Sequence, residues 1–299
     1  MGTDLQQRSV RAKRLFDLAD EVTGLPIRRL CARGPLERLT DTDVAQPAVV
    51  TTSLAALAVL REACAMDVAA VAGHSVGELA AYVAAGALEA ESALRLVQVR
   101  ARAMAAACAR VDGSMTAVIG MEEPALRAAC SSASRAGSSV EVANLNAPGQ
   151  LVVSGERYAL ERVAETARAG GARRVLPLTV GGPFHSVYMR PAAEALRNAL
   201  VTTPLRRADV PVVVNASAQA TQDADELRDE LAVQVYSTVR WIETLQRLAE
   251  LGCHRFLEVG PGTVLAGMVR RTLPGARVAS FGALSDLPGV CSLLTDAAA

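Results

Sequence analysis

Apolar positions along this chain recur in two rhythms. Short apolar runs bounded by turn formers alternate with longer stretches in which apolar residues return every three or four positions. The longer stretches, at 14–24, 46–65, 77–86, 89–109, 122–136, 156–169, 225–235 and 240–251, predict helices. Gly86 stops the third of them, and Pro124 sits in the first turn of the fifth. The short runs, at 68–75, 114–120, 139–145, 150–154, 172–178, 210–217 and 254–262, predict strands. Such alternation is the signature of an α/β protein with a parallel sheet. Between 113 and 179 the order is β-α-β-β-α-β, a split ferredoxin-like unit. The chain therefore divides into a large α/β domain at 1–112, a small inserted domain at 113–179, and the rest of the large domain at 180–299.

Charge and composition narrow the function classes. Thirty-one basic and 31 acidic side chains leave a formal net charge of zero. A nucleic-acid binder would carry a basic excess, so that class is set aside. Hydrophobic residues at 51% and charged residues at 21% supply a large core. No apolar run approaches the roughly 20 residues that span a bilayer. The opening MGTDLQQRSVRAKRLFDLAD has no apolar stretch behind its basic residues, so it is no secretory signal. The expectation is a soluble, cytoplasmic protein without a membrane or nucleic-acid partner. Lys13 is the only lysine and lies in a polar segment, a poor place for a Schiff-base amine. Cys31, Cys64, Cys108, Cys130, Cys253 and Cys291 are scattered, with no C-x-x-C pair. They read as buried free thiols, not as a metal site or a disulfide framework.

The chemistry concentrates where the strand at 68–75 gives way to a helix. Ala72-Gly73-His74-Ser75-Val76-Gly77-Glu78 fits G-x-S-x-G, in which glycines permit a strained turn that lifts a serine hydroxyl above a helix N-terminus. Backbone N–H groups there face a developing oxyanion. A serine nucleophile needs a base, and the chain has three histidines. His74 adjoins the serine and should point away across the turn. His254 precedes an apolar strand and reads as a surface or packing residue. His185, in Gly181-Gly182-Pro183-Phe184-His185-Ser186, sits on a loop where packing gives an imidazole little reason to be.

Five segments in order carry a specific resemblance: GHSVGE at 73–78, Arg100 in VQVRARAM, NLNAPGQLVVSG at 144–155, PFHSVYM at 183–189 and VGPGTVLAG at 259–267. Together, from about residue 3 to 282, the chain resembles the malonyl-CoA:acyl-carrier-protein transacylases and the acyltransferase domains of fatty-acid and polyketide synthases. The resemblance implies an α/β-hydrolase-like large domain with a parallel sheet, plus an inserted ferredoxin-like small domain. It implies Ser75 as nucleophile, His185 as general base and Arg100 as the fork that grips the malonyl carboxylate. His74, Val76, Phe184 and Asn215 are the further substrate-binding candidates. Val76 offers a backbone N–H, and Phe184 matches relatives that prefer malonyl over branched units. A main-chain carbonyl within Ser237-Thr238-Val239-Arg240-Trp241 is expected to orient the base. Asn144 and Asn146 read as turn residues. The implied substrate is a coenzyme A thioester and the partner an acidic acyl carrier protein, with no metal and no bound cofactor. Arg173, Arg174, Arg190, Arg270 and Arg271 are candidates for carrier docking.

Relatives open with a strand and an F-P-G-Q-G-S-Q segment whose glutamine helps hold the oxyanion. This chain matches from just past that point, and Gln6 and Gln7 do not replace it. Loss of one such donor costs about 2.7–4 kcal/mol, and loss of a core strand opens sheet edges. Two alternatives to transfer therefore stand: a hydrolase that passes the acyl group to water in proofreading, and a carrier-protein-binding form with impaired turnover.

Overall fold

The structure, a computed structural model, describes residues 1–295. Helices α1 (Thr3–Arg8), α2 (Val10–Thr23), α3 (Ile27–Arg33), α4 (Leu36–Thr40) and α5 (Thr42–Ala63) lead into β1 (Val71–Ala72), α6 (Gly77–Ala84) and α7 (Ala90–Cys108). There follow β2 (Gly113–Ile119), α8 (Glu123–Ala133), β3 (Val140–Ala147), β4 (Gln150–Glu156), α9 (Arg157–Ala169) and β5 (Arg174–Pro177). The remainder comprises α10 (Arg190–Thr202), β6 (Val212–Val213), β7 (Ala220–Thr221), α11 (Ala224–Gln234), α12 (Trp241–Glu250), β8 (Arg255–Val259), α13 (Val264–Thr272), β9 (Arg277–Phe281) and α14 (Leu287–Thr295). The class is α/β, with mixed sheets.

Helix α5 forms the middle of the main core because it is apolar nearly all round, as a helix enclosed by protein must be. It packs against α2 and α7. Its 22 residues include an 18-residue window of mean hydropathy 1.5, long and apolar enough to cross a membrane. That corrects the expectation that no run approaches this length. The polar residues that break the run, Thr51 and Thr52, turn their hydroxyls back onto the Pro47 and Ala48 carbonyls, so they cost the helix little polarity. Two thirds of the window, 67%, is buried inside the protein itself.

Parallel pairing occurs in two separate small sheets, one of them mixed. β1 runs parallel to β6, and β7 joins β6 antiparallel; separately, β8 runs parallel to β9. β1 and β6 pair over two residues each, far less than the apolar runs at 68–75 and 210–217 suggest. Among the described residues the outer edge of β1 and the outer edge of β8 have no strand partner. Both line one cavity of about 570 Å³, walled by residues 68–73 and 252–260 and by α5, α6, α12 and α13 side chains.

Residues 113–177 build a four-stranded antiparallel sheet in the order β3-β4-β2-β5. β2 and β4 pair without a break from Gly113↔Glu156 to Ile119↔Gln150. α8 and α9 cover it, and Val118, Leu126, Val153 and Val163 make a core separate from the main one. β3 carries two register shifts and is tied to the 234–240 segment by Leu145 N–H to Val239 O at 2.9 Å and Val239 N–H to Ala143 O at 2.8 Å. The cysteines are free thiols; Cys31 and Cys130 are buried, but Cys291 is exposed, which departs from the all-buried expectation.

Candidate active site

The turn after β1 can close only around glycine. A Cβ on Gly73 would lie 2.1 Å from the Gly77 carbonyl oxygen. Ser75 then adopts a left-handed φ of 50°, which projects its hydroxyl from the elbow. Asn215, just past β6 and fully buried, pins this turn from beneath. Its Oδ1 accepts from Ser75 N at 2.6 Å and its Nδ2 donates to Gly73 O at 2.7 Å. All its side-chain polar atoms are spent on the elbow. Val76 N–H, at the start of α6, donates to no acceptor among the described residues.

His185 reaches the serine from the other side. Its Nε2 lies 2.7 Å from Ser75 Oγ. The loop that carries it is packed so closely that a Cβ on Gly182 would meet Cys108 Sγ at 2.1 Å, and His185 itself has φ 55°. Nδ1 lies 3.0 Å from Gln234 O and 3.1 Å from Ser237 O. Two carbonyls can only accept, so Nδ1 carries the proton and Nε2 is left to accept from the serine. One of these carbonyls, Ser237, falls in the expected 237–241 region; the other, Gln234, lies outside it. Burial, the Arg100 charge and His74 push the His185 pKa down to about 3, so the imidazole is neutral at physiological pH.

Arg100 projects from α7 and is 1% exposed. Its Nη2 donates to Ser75 Oγ at 3.1 Å and to Gln234 Oε1 at 2.9 Å, and its Nη1 donates to Gln46 Oε1 on α5. Nε is buried without a partner. Burial lowers its pKa to about 10, which leaves it charged. His74 Nε2 pairs with Asn146 Oδ1 at 2.8 Å and its ring meets Trp241 edge-on at 5.3 Å; burial lowers its pKa too. Phe184 is half-buried and packs against both the main core and the Met115, Ala143 and Val152 cluster. His254 is exposed.

Ser75, His185 and Arg100 thus converge on one oxygen, with Val76 and Asn215 at the same turn, while His74 turns to Asn146 and Phe184 packs into the adjoining apolar clusters. Sequence reasoning missed Gln46, Gln234 and Asn146. Asn144 and Asn146 lie within β3 and not in a turn, which is formed by the residues after Ala147. The one available signal for Gln46 was an amide beside a long apolar helical run.

The acyl transferase domain matches residues 1–286. The chain belongs to the acyl transferase family. Among relatives of this acyltransferase, the malonyl CoA-acyl carrier protein transacylase of Bacillus subtilis (strain 168) is 41% identical over 271 residues, covering 91% of this chain and 85% of that one. The corresponding transacylase of Escherichia coli (strain K12) is 37% identical over 256 residues, covering 86% and 82%. The solved transacylase of Coxiella burnetii superposes with a TM-score of 0.94 at 31% identity, over 99% of this acyltransferase and 93% of that chain. A malonyl-transacylase solved in complex with its type II polyketide acyl-carrier protein, PlMCAT:AntF, superposes at 0.93 with 34% identity, over 98% and 94%.

Proposed function

We propose that this acyltransferase moves a malonyl group from coenzyme A to the phosphopantetheine thiol of an acyl carrier protein, through a malonyl ester on Ser75. The observation that carries the reading is the sharing of Ser75 Oγ between a neutral base nitrogen and a buried guanidinium. As Oγ attacks the thioester carbonyl, its proton passes to His185 Nε2. The carbon–sulfur bond breaks and His185 returns that proton to the departing coenzyme A sulfur. The carrier thiol then repeats the sequence in reverse order, giving its proton to His185 and releasing Ser75. The developing oxyanion takes the free Val76 N–H and the positive end of α6. The malonyl carboxylate pairs with Arg100, whose buried Nε–H awaits an acceptor.

The residues supply nucleophile, base and cation, so the reading calls for no metal and no bound cofactor. We read 1–112 and 180–299, of which 296–299 lie outside the described residues, as one α/β-hydrolase-like domain and 113–179 as a ferredoxin-like insert, supported by the antiparallel order β3-β4-β2-β5. The coenzyme A thioester substrate and the free thiols fit the cytoplasm. Intact-protein mass after brief incubation with malonyl-CoA tests the proposal. One malonyl adduct is expected on the wild type and none on Ser75→Ala. An unmodified, folded wild type overturns it, and malonate release faster than carrier loading would favour the hydrolase.

A further inference from the structure

Glu78 has no part in the transfer above, yet it holds Asn215 and Gln234, which contact the groups that do. It lies in the first turn of α6, three residues past Ser75, and is 0% exposed. Its Oε1 accepts from Asn215 N at 3.1 Å and its Oε2 accepts from Gln234 Nε2. It forms no ion pair with a basic side chain among the described residues.

Gln234, the last residue of α11, is as deeply buried. The same Nε2 also donates to Ser75 O at 2.7 Å. Its Oε1 accepts from Arg100 at 2.9 Å, and its main-chain oxygen accepts from His185 Nδ1 at 3.0 Å. Every side-chain polar atom of Gln234 is therefore committed: its side chain meets Arg100 and the Ser75 carbonyl, and its main-chain oxygen meets His185.

The two ends of a carboxamide are nearly equal in size, and only their hydrogen-bond partners decide which way round it sits. An ionised carboxylate accepts and never donates. Glu78 and the Ser75 carbonyl, both acceptors, draw the amide nitrogen to their side and so leave the amide oxygen for Arg100. An amide turned over would set its N–H groups against the guanidinium, donor against donor, in a site where neither can reach water.

We propose that Glu78 is a positioning residue for acyl selectivity: by fixing the orientation of the Gln234 amide, it holds Arg100 where an acidic acyl group is received beside Ser75. This rests on the malonyl-transfer reading and deepens it. Burial and nearby Glu230 raise the Glu78 pKa, to about 8, while the Gln234 and Asn215 donors and Arg100 oppose them; Tyr82 is the other titratable group facing it. Both of its oxygens face donors, so the ionised form is the one these contacts fit.

The test compares rates of serine acylation by malonyl-CoA and by acetyl-CoA at pH 9, where Glu78 is ionised. Wild type, Glu78→Gln and the exchange variant Glu78→Gln/Gln234→Glu are measured, each with its thermal midpoint. In Glu78→Gln the malonyl-to-acetyl ratio of kcat/KM should fall at least tenfold. In the exchange variant the amide on α6 donates to a carboxylate on α11, which again presents an acceptor to Arg100 but no longer donates to Ser75 O, so the rescue is partial. The ratio should then recover at least threefold. A merely structural role would slow both donors equally and leave the ratio unchanged, which overturns the proposal. If Glu78→Gln does not fold, the wild type decides: its malonyl-to-acetyl ratio should fall as pH drops below 8 and Glu78 takes up a proton, and a ratio flat from pH 9 to pH 6 overturns the proposal. Absence of any malonyl adduct on the wild type, by contrast, fells the transfer reading itself and this inference with it.

Discussion

Ser75 Oγ receives two contacts of opposite use: His185 Nε2 takes its proton, and Arg100 Nη2 sets a positive charge beside it. The guanidinium spans Gln46, Gln234 and Ser75 at once, which a single ammonium nitrogen on a flexible stem cannot reproduce. Arg100→Lys should therefore lower kcat/KM for malonyl-CoA by about 30-fold or more, from the roughly 2–5 kcal/mol that truncating a buried charge contact costs. Acetyl-CoA acylation should suffer much less, and a steady-state comparison of the two donors checks this. His185 makes stability depend on pH. Its pKa in the folded protein, about 3, lies below the ordinary histidine value near 6.5, so the unfolded chain binds the proton first as pH falls. The contribution is complete above pH 6.5 and is lost progressively as pH falls toward 3. Urea melts at a series of pH values should show a shallower acid decline for His185→Asn than for the wild type.

At the scale of elements, the elbow between β1 and α6 is where sequence and structure agree best, for a steric reason. The close approach of Gly73 to Gly77 admits no side chain, so the glycines announce the turn. Gly73→Ala should destabilise the fold at or beyond the upper end of the about 1–3 kcal/mol typical of overpacking, and acylation should be lost with it; thermal melts and adduct formation report both. The helices at 77–86, 89–109 and 156–169 are equally legible, because a one-sided apolar stripe survives in any context. β1 and β6 are not, since an apolar run specifies a buried strand but not how many partners it finds. α1, α3, α4, α10 and α13 lie outside the segments that periodicity picks out. Gln46, Gln234 and Asn146 escaped for a different reason: each is an ordinary polar position locally, and its meaning arises from partners 54, 134 and 72 residues away. Asn146 was further disguised by the Pro148-Gly149 turn that follows it.

Over the whole molecule, the site sits where two separate cores meet. One surrounds α5 and α7, the other lies beneath the antiparallel sheet of 113–177. Val239, part of a third cluster with Val213 and Trp241, and the His74–Asn146 pair tie the antiparallel sheet to the segments around Ser75. Beside this junction lies the hollow of about 570 Å³ between β1 and β8, with Trp241 on its wall. Pressure favours whichever state fills less volume, and unfolding abolishes internal hollows. Compression should therefore favour unfolding to the extent that this partly open hollow excludes water, with a volume change within the about −20 to −100 mL/mol seen for folded domains. Trp241 is the only tryptophan in the chain, so its fluorescence under hydrostatic pressure reports the collapse of that wall without interference. Ala80→Leu, which adds bulk at the same wall, should shrink the volume change. If it leaves the change untouched, water already fills the space between the two strands.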